Sequence, residues 1–191
     1  LNNTRIVMQF FWRAESHFNL ANLVTMINIA SGVAAAYLIS QNHFFEAIVL
    51  AWIGGACDII DGKIARKYNL SGSFGIQLDS FADFITFVLV PVFLVFQTAF
   101  TSSGTQLKLW GGAVSIYYVI SGLRRLIQFN INSNVGEVSR FFTGVPTPLG
   151  GILLWLLYLG FHFELIGVLF VSVLMILVGW LLNSNVKIPH P

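Results

Sequence analysis

The stretch that decides the fold runs Gly54-Gly55-Ala56-Cys57-Asp58-Ile59-Ile60-Asp61-Gly62-Lys63-Ile64-Ala65-Arg66. It continues through Ser71-Gly72-Ser73 to Gly75-Ile76-Gln77-Leu78-Asp79-Ser80-Phe81-Ala82-Asp83. All four aspartates of the 191-residue chain lie here, in otherwise greasy sequence. A carboxylate in a segment long enough to cross a membrane is costly to desolvate. It persists only if it is paired, faces water or holds a cation.

Working outward, the chain is 56% hydrophobic and 9% charged, with a mean hydropathy of +0.78. Soluble domains carry about 25% charged residues, so the composition predicts an integral membrane protein. A net charge of +2 is too small to argue for a nucleic-acid partner. Cys57 is the single cysteine, so no intrachain disulfide is possible. Residues 1–19 mix Arg5, Arg13, Glu15 and His17 with Ile6, Val7, Met8, Phe10, Phe11, Trp12 and Phe18. They lack the long apolar core and small-residue cleavage site of a signal peptide, and predict an amphipathic helix lying in the membrane interface.

Apolar runs bounded by breakers predict an all-α fold of six transmembrane helices near 20–39, 44–66, 75–99, 107–128, 147–161 and 163–183, the fifth short and the others close to the roughly 20 residues a span needs. The expected organisation is an interfacial segment 1–19, a six-helix domain 20–183 and a tail 184–191. With the N-terminus in the cytosol, Arg5, Arg13, Lys63, Arg66, Lys67, Arg124, Arg125, Arg140 and Lys187 fall inside and only Lys108 outside. That asymmetry predicts cytosolic N- and C-termini. Asp58 and Asp83 then lie about 12 Å, and Asp79 about 6 Å, from the cytosolic ends of their helices at about 1.5 Å per residue. The four carboxylates share one depth in the inner leaflet.

Asp58 and Asp61 are spaced i, i+3, and Asp79 and Asp83 i, i+4, so each pair projects from one helix face. Four facing carboxylates repel unless hard divalent ions such as Mg²⁺ or Mn²⁺ sit among them. Four aspartates suit two such ions, an arrangement that serves displacement at phosphorus. Gly62 and Ala65 keep the wall low for a large ligand, and Arg66 is a planar donor suited to phosphate. The same residues admit other uses. Lys63 and Arg66 could neutralise the acids as ion pairs, the acids could line a cation or proton path as in a channel or carrier, and the small residues could serve helix packing.

Read in order, Asp58-x-x-Asp61-Gly62-x-x-Ala65-Arg66, eight residues, then Gly75-x-x-x-Asp79-x-x-x-Asp83 resembles the signature of the CDP-alcohol phosphotransferase family. The resemblance implies a six-helix membrane fold, a homodimer, and transfer of a phosphatidyl-type group from a CDP-activated lipid to an alcohol with release of CMP. It implies that Asp58, Asp61, Asp79 and Asp83 hold two divalent cations and that Asp83 is also the general base. By the same resemblance Gly62, Ala65, Arg66, Gly72 and Gly75 border the CDP-lipid. Asn22 and Thr25, in Asn22-Leu23-Val24-Thr25-x-x-Asn28, are similar to the segment beside the cytidine, although a polar helix start is also ordinary capping.

A second stretch, Gly122 to Asn130 and Arg140 to Pro148, resembles the phosphatidylserine synthase branch, with Gln128 and Val145 departing from that branch's usual Arg and Leu. It implies L-serine as the acceptor. Arg124, Arg125 or Arg140 suit its carboxylate and Asn130 its ammonium, with Thr143 nearby. Positive-inside anchoring is the competing use of those arginines, and glycerol 3-phosphate or inositol phosphate are the competing acceptors.

Overall fold

The computed structural model describes residues 11–14, 16–132, 141–184 and 187–189. Among these residues six long helices follow one another: α1 Leu20–Ser40, α2 Phe44–Tyr68, α3 Ser73–Phe100, α4 Thr105–Asn132, α5 Thr147–His162 and α6 Val168–Leu182. Two three-residue strands, β1 Phe141–Thr143 and β2 Lys187–Pro189, pair antiparallel with Phe142 opposite Ile188. The helical class expected from the sequence therefore holds, apart from this one pairing. Its residues carried no alternation long enough to announce a strand.

Local chemistry sets the helix ends. Asn19 caps α1, its side chain accepting the Asn22 N–H at 2.9 Å, while its own amide donates to the Leu70 carbonyl at 3.2 Å. That pair of bonds ties the start of α1 to the loop between α2 and α3. Glu46 in the first turn of α2 and Arg66 and Lys67 in its last complement the helix dipole, and Asn69 ends it in the left-handed conformation, φ 53°. Pro148 occupies the first turn of α5. The sixth helix starts at Val168 rather than near 163, because Glu164 adopts φ 58° and breaks the apolar run.

Pro91 shapes α3, which contains two π-helical turns, Phe84–Leu89 and Phe96–Phe100. Proline lacks an N–H and crowds the carbonyl four residues back, here that of Phe87. The wider turn, in which the Val90 N–H reaches the Ile85 carbonyl, absorbs that crowding. It begins one residue after Asp83. The bundle is built around α3, which packs on each of the other five helices. Val88, Val90, Leu94, Val95 and Phe100 of α3 are almost completely buried, with Ile39, Tyr118, Leu154, Val171, Met175 and Leu182 from neighbouring helices. Gly151 lets α5 come against the α3 backbone, since a Cβ there would stand 2.9 Å from the Phe87 carbonyl oxygen.

The outside of the bundle is apolar. Phe45, Leu109 and Leu165 are each more than 70% exposed. Such a surface suits hydrocarbon rather than water. Leu20–Ser40 and Ser73–Phe100 are long and apolar enough to cross a membrane, whereas α5 and α6 are apolar but shorter. Residues 1–10 and 15, most of the predicted interfacial helix, lie outside the described residues. So do Arg140 and residues 185, 186, 190 and 191 of the tail. Among the described part of 1–19, Trp12 meets Tyr68 edge to face at 4.5 Å and His17 stacks on Phe74 at 4.4 Å.

Gly122 of α4 faces Val88 of α3, and a Cβ there would stand 2.7 Å from both Val88 methyl groups. Valine is stiff at χ1 and cannot swing aside. Gly122→Ala should lower stability by about 1–3 kcal/mol, measured as a lower thermal unfolding midpoint of the purified protein in detergent.

Candidate active site

α2 contributes Asp58 and Asp61, and α3, entered through the short turn at residues 69–72, contributes Asp79 and Asp83. Asp58, Asp61 and Asp79 each offer a carboxylate oxygen within 4.8 Å of the others. The Asp83 carboxyl lies within hydrogen-bonding reach of that of Asp58. Asp83 Oδ1 is buried and has no hydrogen-bond partner. Asp61 is held from a third helix, since Thr25 Oγ1 of α1 donates to its Oδ2 at 2.6 Å. The spacing argument is thus met in three dimensions, with all four carboxylates in one cluster.

Lys63 and Arg66 do not neutralise them. The ion pair among the described residues joins His43 to Glu46, on exposed side chains at the far end of α2. Arg66 instead lies along its own helix over Gly62, its Nη1 3.5 Å from where a Cβ would sit. A set of carboxylate oxygens this close, one of them buried and without a donor, fits hard divalent cations.

Three spaces open on the cluster. The first, a cleft of about 170 Å³, is lined by Asn22, Thr25, Asp61, Gly62, Ala65, Arg66, Gly72, Gly75 and Asp79, with Ala21, Leu70, Ser71 and Ile76. It thus brings together all seven residues expected at the CDP-lipid. Two of the glycines also have packing reasons. A Cβ on Gly75 would stand 2.8 Å from Asn22 Oδ1, and one on Gly72 2.8 Å from the Ala14 carbonyl oxygen. Asn22 in turn donates its amide to the Ser16 and His17 carbonyls, which fixes the chain entering α1 beside the cleft.

The second space is an apolar groove of about 330 Å³ in which Asp58 sits among Ala51, Trp52, Gly55, Ile59, Phe87, Ile152 and Trp155. The third, of about 180 Å³, has Asp83 facing Arg125, Leu126, Phe129, Pro146, Thr147 and Pro148.

The residues expected to bind the acceptor divide. Arg125 is 7% exposed and lines the Asp83 pocket, but its guanidinium also holds the chain at the start of α5, Nε donating to the Val145 carbonyl at 3.2 Å and Nη2 to that of Gly144 at 3.5 Å. Asn130 bonds Ser80 of α3, its Nδ2 donating to Ser80 Oγ at 2.8 Å. Arg124 is exposed and lines none of the three spaces. Thr143 lies in β1, which pairs with β2. Sequence reasoning passed over Thr147, buried at the Asp83 pocket, and quoted Asn28, buried in α1, only as the end of the Asn22–Asn28 segment, without a role of its own. The i, i+3, i+6 run of Asn22, Thr25 and Asn28 along one helix face was the available signal for the latter.

The sequence model of the CDP-alcohol phosphatidyltransferase family matches residues 18–183. The chain belongs to that family. Among its relatives, this CDP-alcohol phosphatidyltransferase is 34% identical over 175 residues to a CDP-diacylglycerol–serine O-phosphatidyltransferase of Helicobacter pylori, covering 88% of this chain and 71% of that one. It is 31% identical over 170 residues to the Bacillus subtilis protein of the same name, covering 88% of each. An archaetidylserine synthase of Methanothermobacter thermautotrophicus is 29% identical over 182 residues, covering 93% of this chain and 72% of that one.

Thr25→Val keeps the shape of the side chain and removes the Asp61 hydrogen bond. Loss of a bond that orients a metal ligand costs about tenfold or more in metal affinity. Titration of Mn²⁺ into the metal-free protein, followed by electron paramagnetic resonance, should show that weakening; unchanged affinity would assign Thr25 to packing alone.

Proposed function

We propose that this protein transfers the phosphatidyl group of a CDP-activated lipid, CDP-diacylglycerol or an ether analogue, to the hydroxyl of L-serine, releasing CMP. The observation that carries the reading is that one carboxylate cluster borders three spaces of different chemistry. The polar cleft with Arg66 suits the CDP head. The apolar groove at Asp58 suits a lipid chain. The small pocket at Asp83 suits a compact alcohol. The names of the relatives support serine as that alcohol.

In the reaction, the serine hydroxyl oxygen bonds to the phosphorus that carries the lipid, and the bond from that phosphorus to the CMP oxygen breaks. The hydroxyl proton passes to the Asp83 carboxylate, since an alcohol is a weak nucleophile at neutral pH and needs a base within hydrogen-bond reach. Two divalent cations, Mg²⁺ or Mn²⁺, held by Asp58, Asp61, Asp79 and Asp83 would neutralise charge on the pyrophosphate and the leaving CMP. Arg66 steadies the phosphates. Asn22, Thr25, Gly62, Ala65, Gly72 and Gly75 shape the cleft around the nucleotide. Arg125, which lines the pocket of the Asp83 carboxylate, is the acceptor-side cation, its guanidinium oriented by the carbonyls of residues 144 and 145; Asn130, Thr143 and Arg124 are the other acceptor-side residues among those described, and Arg140 keeps that role from the sequence resemblance alone.

The apolar exterior and the distribution of basic residues support six transmembrane helices, an interfacial N-terminal segment, and cytosolic termini and active site. The water-soluble CDP head and serine then reach the cluster from the cytosol while the lipid chains stay in the bilayer. A homodimer, the assembly implied by the family, is part of the same proposal.

Purified protein given CDP-diacylglycerol should release CMP with serine in preference to glycerol 3-phosphate or inositol phosphate, and EDTA should stop it. Asp83→Asn should slow release by about 10²–10⁴-fold. Preference for either phosphorylated alcohol would reassign the acceptor. Ion flux in proteoliposomes without any CMP release would replace the enzyme by a cation carrier.

A further inference from the structure

Pro146, Thr147 and Pro148 form one wall of the pocket that Asp83 lines. Two of these three have no N–H with which to anchor the backbone, so the residues beside them carry that load. The end of α6 supplies the anchors. The Val145 N–H donates to the Leu181 carbonyl at 3.2 Å. Leu182, wholly buried, lies against Gly150 of α5, where a Cβ would stand 2.9 Å from its Cδ2. Gly144, at φ 86°, passes so close that a Cβ on it would stand 2.8 Å from the Leu182 carbonyl oxygen and 2.9 Å from that of Ser184. Both the conformation and the space there admit glycine alone. Asn183, which ends α6, donates its Nδ2 to the Ser121 carbonyl of α4 at 3.0 Å, one turn before Arg125. The backbone pairing of Thr143 with Lys187 continues the same contact into β1 and β2.

We propose that the end of α6, residues 181–184, is the positioning element of the acceptor pocket: by fixing residues 144 and 145 it sets where the 146–148 wall stands relative to Asp83, and with it the size of alcohol admitted. These residues act through the wall rather than on the reacting atoms. The pocket encloses about 180 Å³, a space in which a single methylene decides whether an acceptor fits. The polar cleft is lined from α1, α2, the turn after it and the start of α3, and the carboxylates stand on α2 and α3. Neither draws a residue from α6, so loosening its end acts on the acceptor side.

The kinetic consequence rests on the phosphotransfer reading; the backbone consequence does not. The test uses the whole purified protein in detergent. Asn183→Leu removes the bond to α4, and Gly144→Ala pushes the segment off α6. In each, KM for serine should rise about three- to tenfold while KM for CDP-diacylglycerol stays within about twofold. The preference for serine over homoserine, one methylene longer and worth about tenfold or more in a fitted pocket, should shrink. Amide exchange followed by mass spectrometry should quicken about tenfold at residues 145–150 and stay unchanged in the aspartate-bearing parts of α2 and α3. Equal rises in both KM values, or an unchanged KM for serine, would overturn the proposal. Should Gly144→Ala fail to fold, Asn183→Leu carries the same expectations alone. If the wild-type protein releases no CMP with any alcohol, the phosphotransfer reading falls and amide exchange decides whether α6 positions this wall; wild-type exchange at 145–150 in Asn183→Leu would overturn that as well.

Discussion

Four carboxylates held together in an apolar bundle, with no lysine or arginine paired to them among the described residues, are the constraint on which the rest of the structure depends. Oxygens of three of them, Asp58, Asp61 and Asp79, lie within 4.8 Å of one another, where each ionised pair repels by about 3 kcal/mol or more at an effective dielectric of about 20. The helices can carry that load only because other contacts keep them together. α1 lies along α2 and places Thr25 on Asp61, and Asn19 ties its start to the α2–α3 turn. The cluster is therefore strained toward whatever cations enter it, and the surrounding bundle is what stops it from relaxing apart instead.

The three spaces around the cluster follow from how the helices diverge. Where α1, α2 and the start of α3 meet, small residues leave a polar cleft. Where α5 leans on the α3 backbone through Gly151, a groove lined by Trp52, Phe87 and Trp155 opens beside Asp58. Where α4 ends and α5 begins, Arg125 holds residues 144 and 145 and bounds a pocket facing Asp83. One arginine thus joins two elements that no short loop connects. α3 sits at the centre of all three, and the wider turns around Pro91 let one long helix serve each neighbour without breaking.

Much of this was legible in the residues. The helices could be read from apolar runs and breakers because a bilayer-length stretch of large hydrophobic residues has few other uses. The aspartate spacing announced two faces that had to meet. The break before α6 was less legible, since nothing in Phe163-Glu164-Leu165 marks Glu164 for a left-handed turn. The acceptor residues were harder still. Arg125 and Asn130 have the right donors for serine, yet the structure engages them with a carbonyl pair and with Ser80. Gly72 and Gly75, expected beside a nucleotide, are also required by the Ala14 carbonyl and Asn22.

By itself the sequence determined the six apolar helices seen among the described residues and their approximate length, the confinement of every aspartate to α2 and α3, and a spacing that belongs to one enzyme family. These are properties of order along the chain, and periodicity carries them. Only the tertiary structure decided what each polar side chain spends its hydrogen bonds on. It put Thr25 on Asp61, left Asn28 Nδ2 and Asp83 Oδ1 as an unspent donor and acceptor, and gave the aspartates three different neighbourhoods. Those partners lie tens of residues apart in the chain, and a donor's type and spacing do not say which distant acceptor the packing will bring to it.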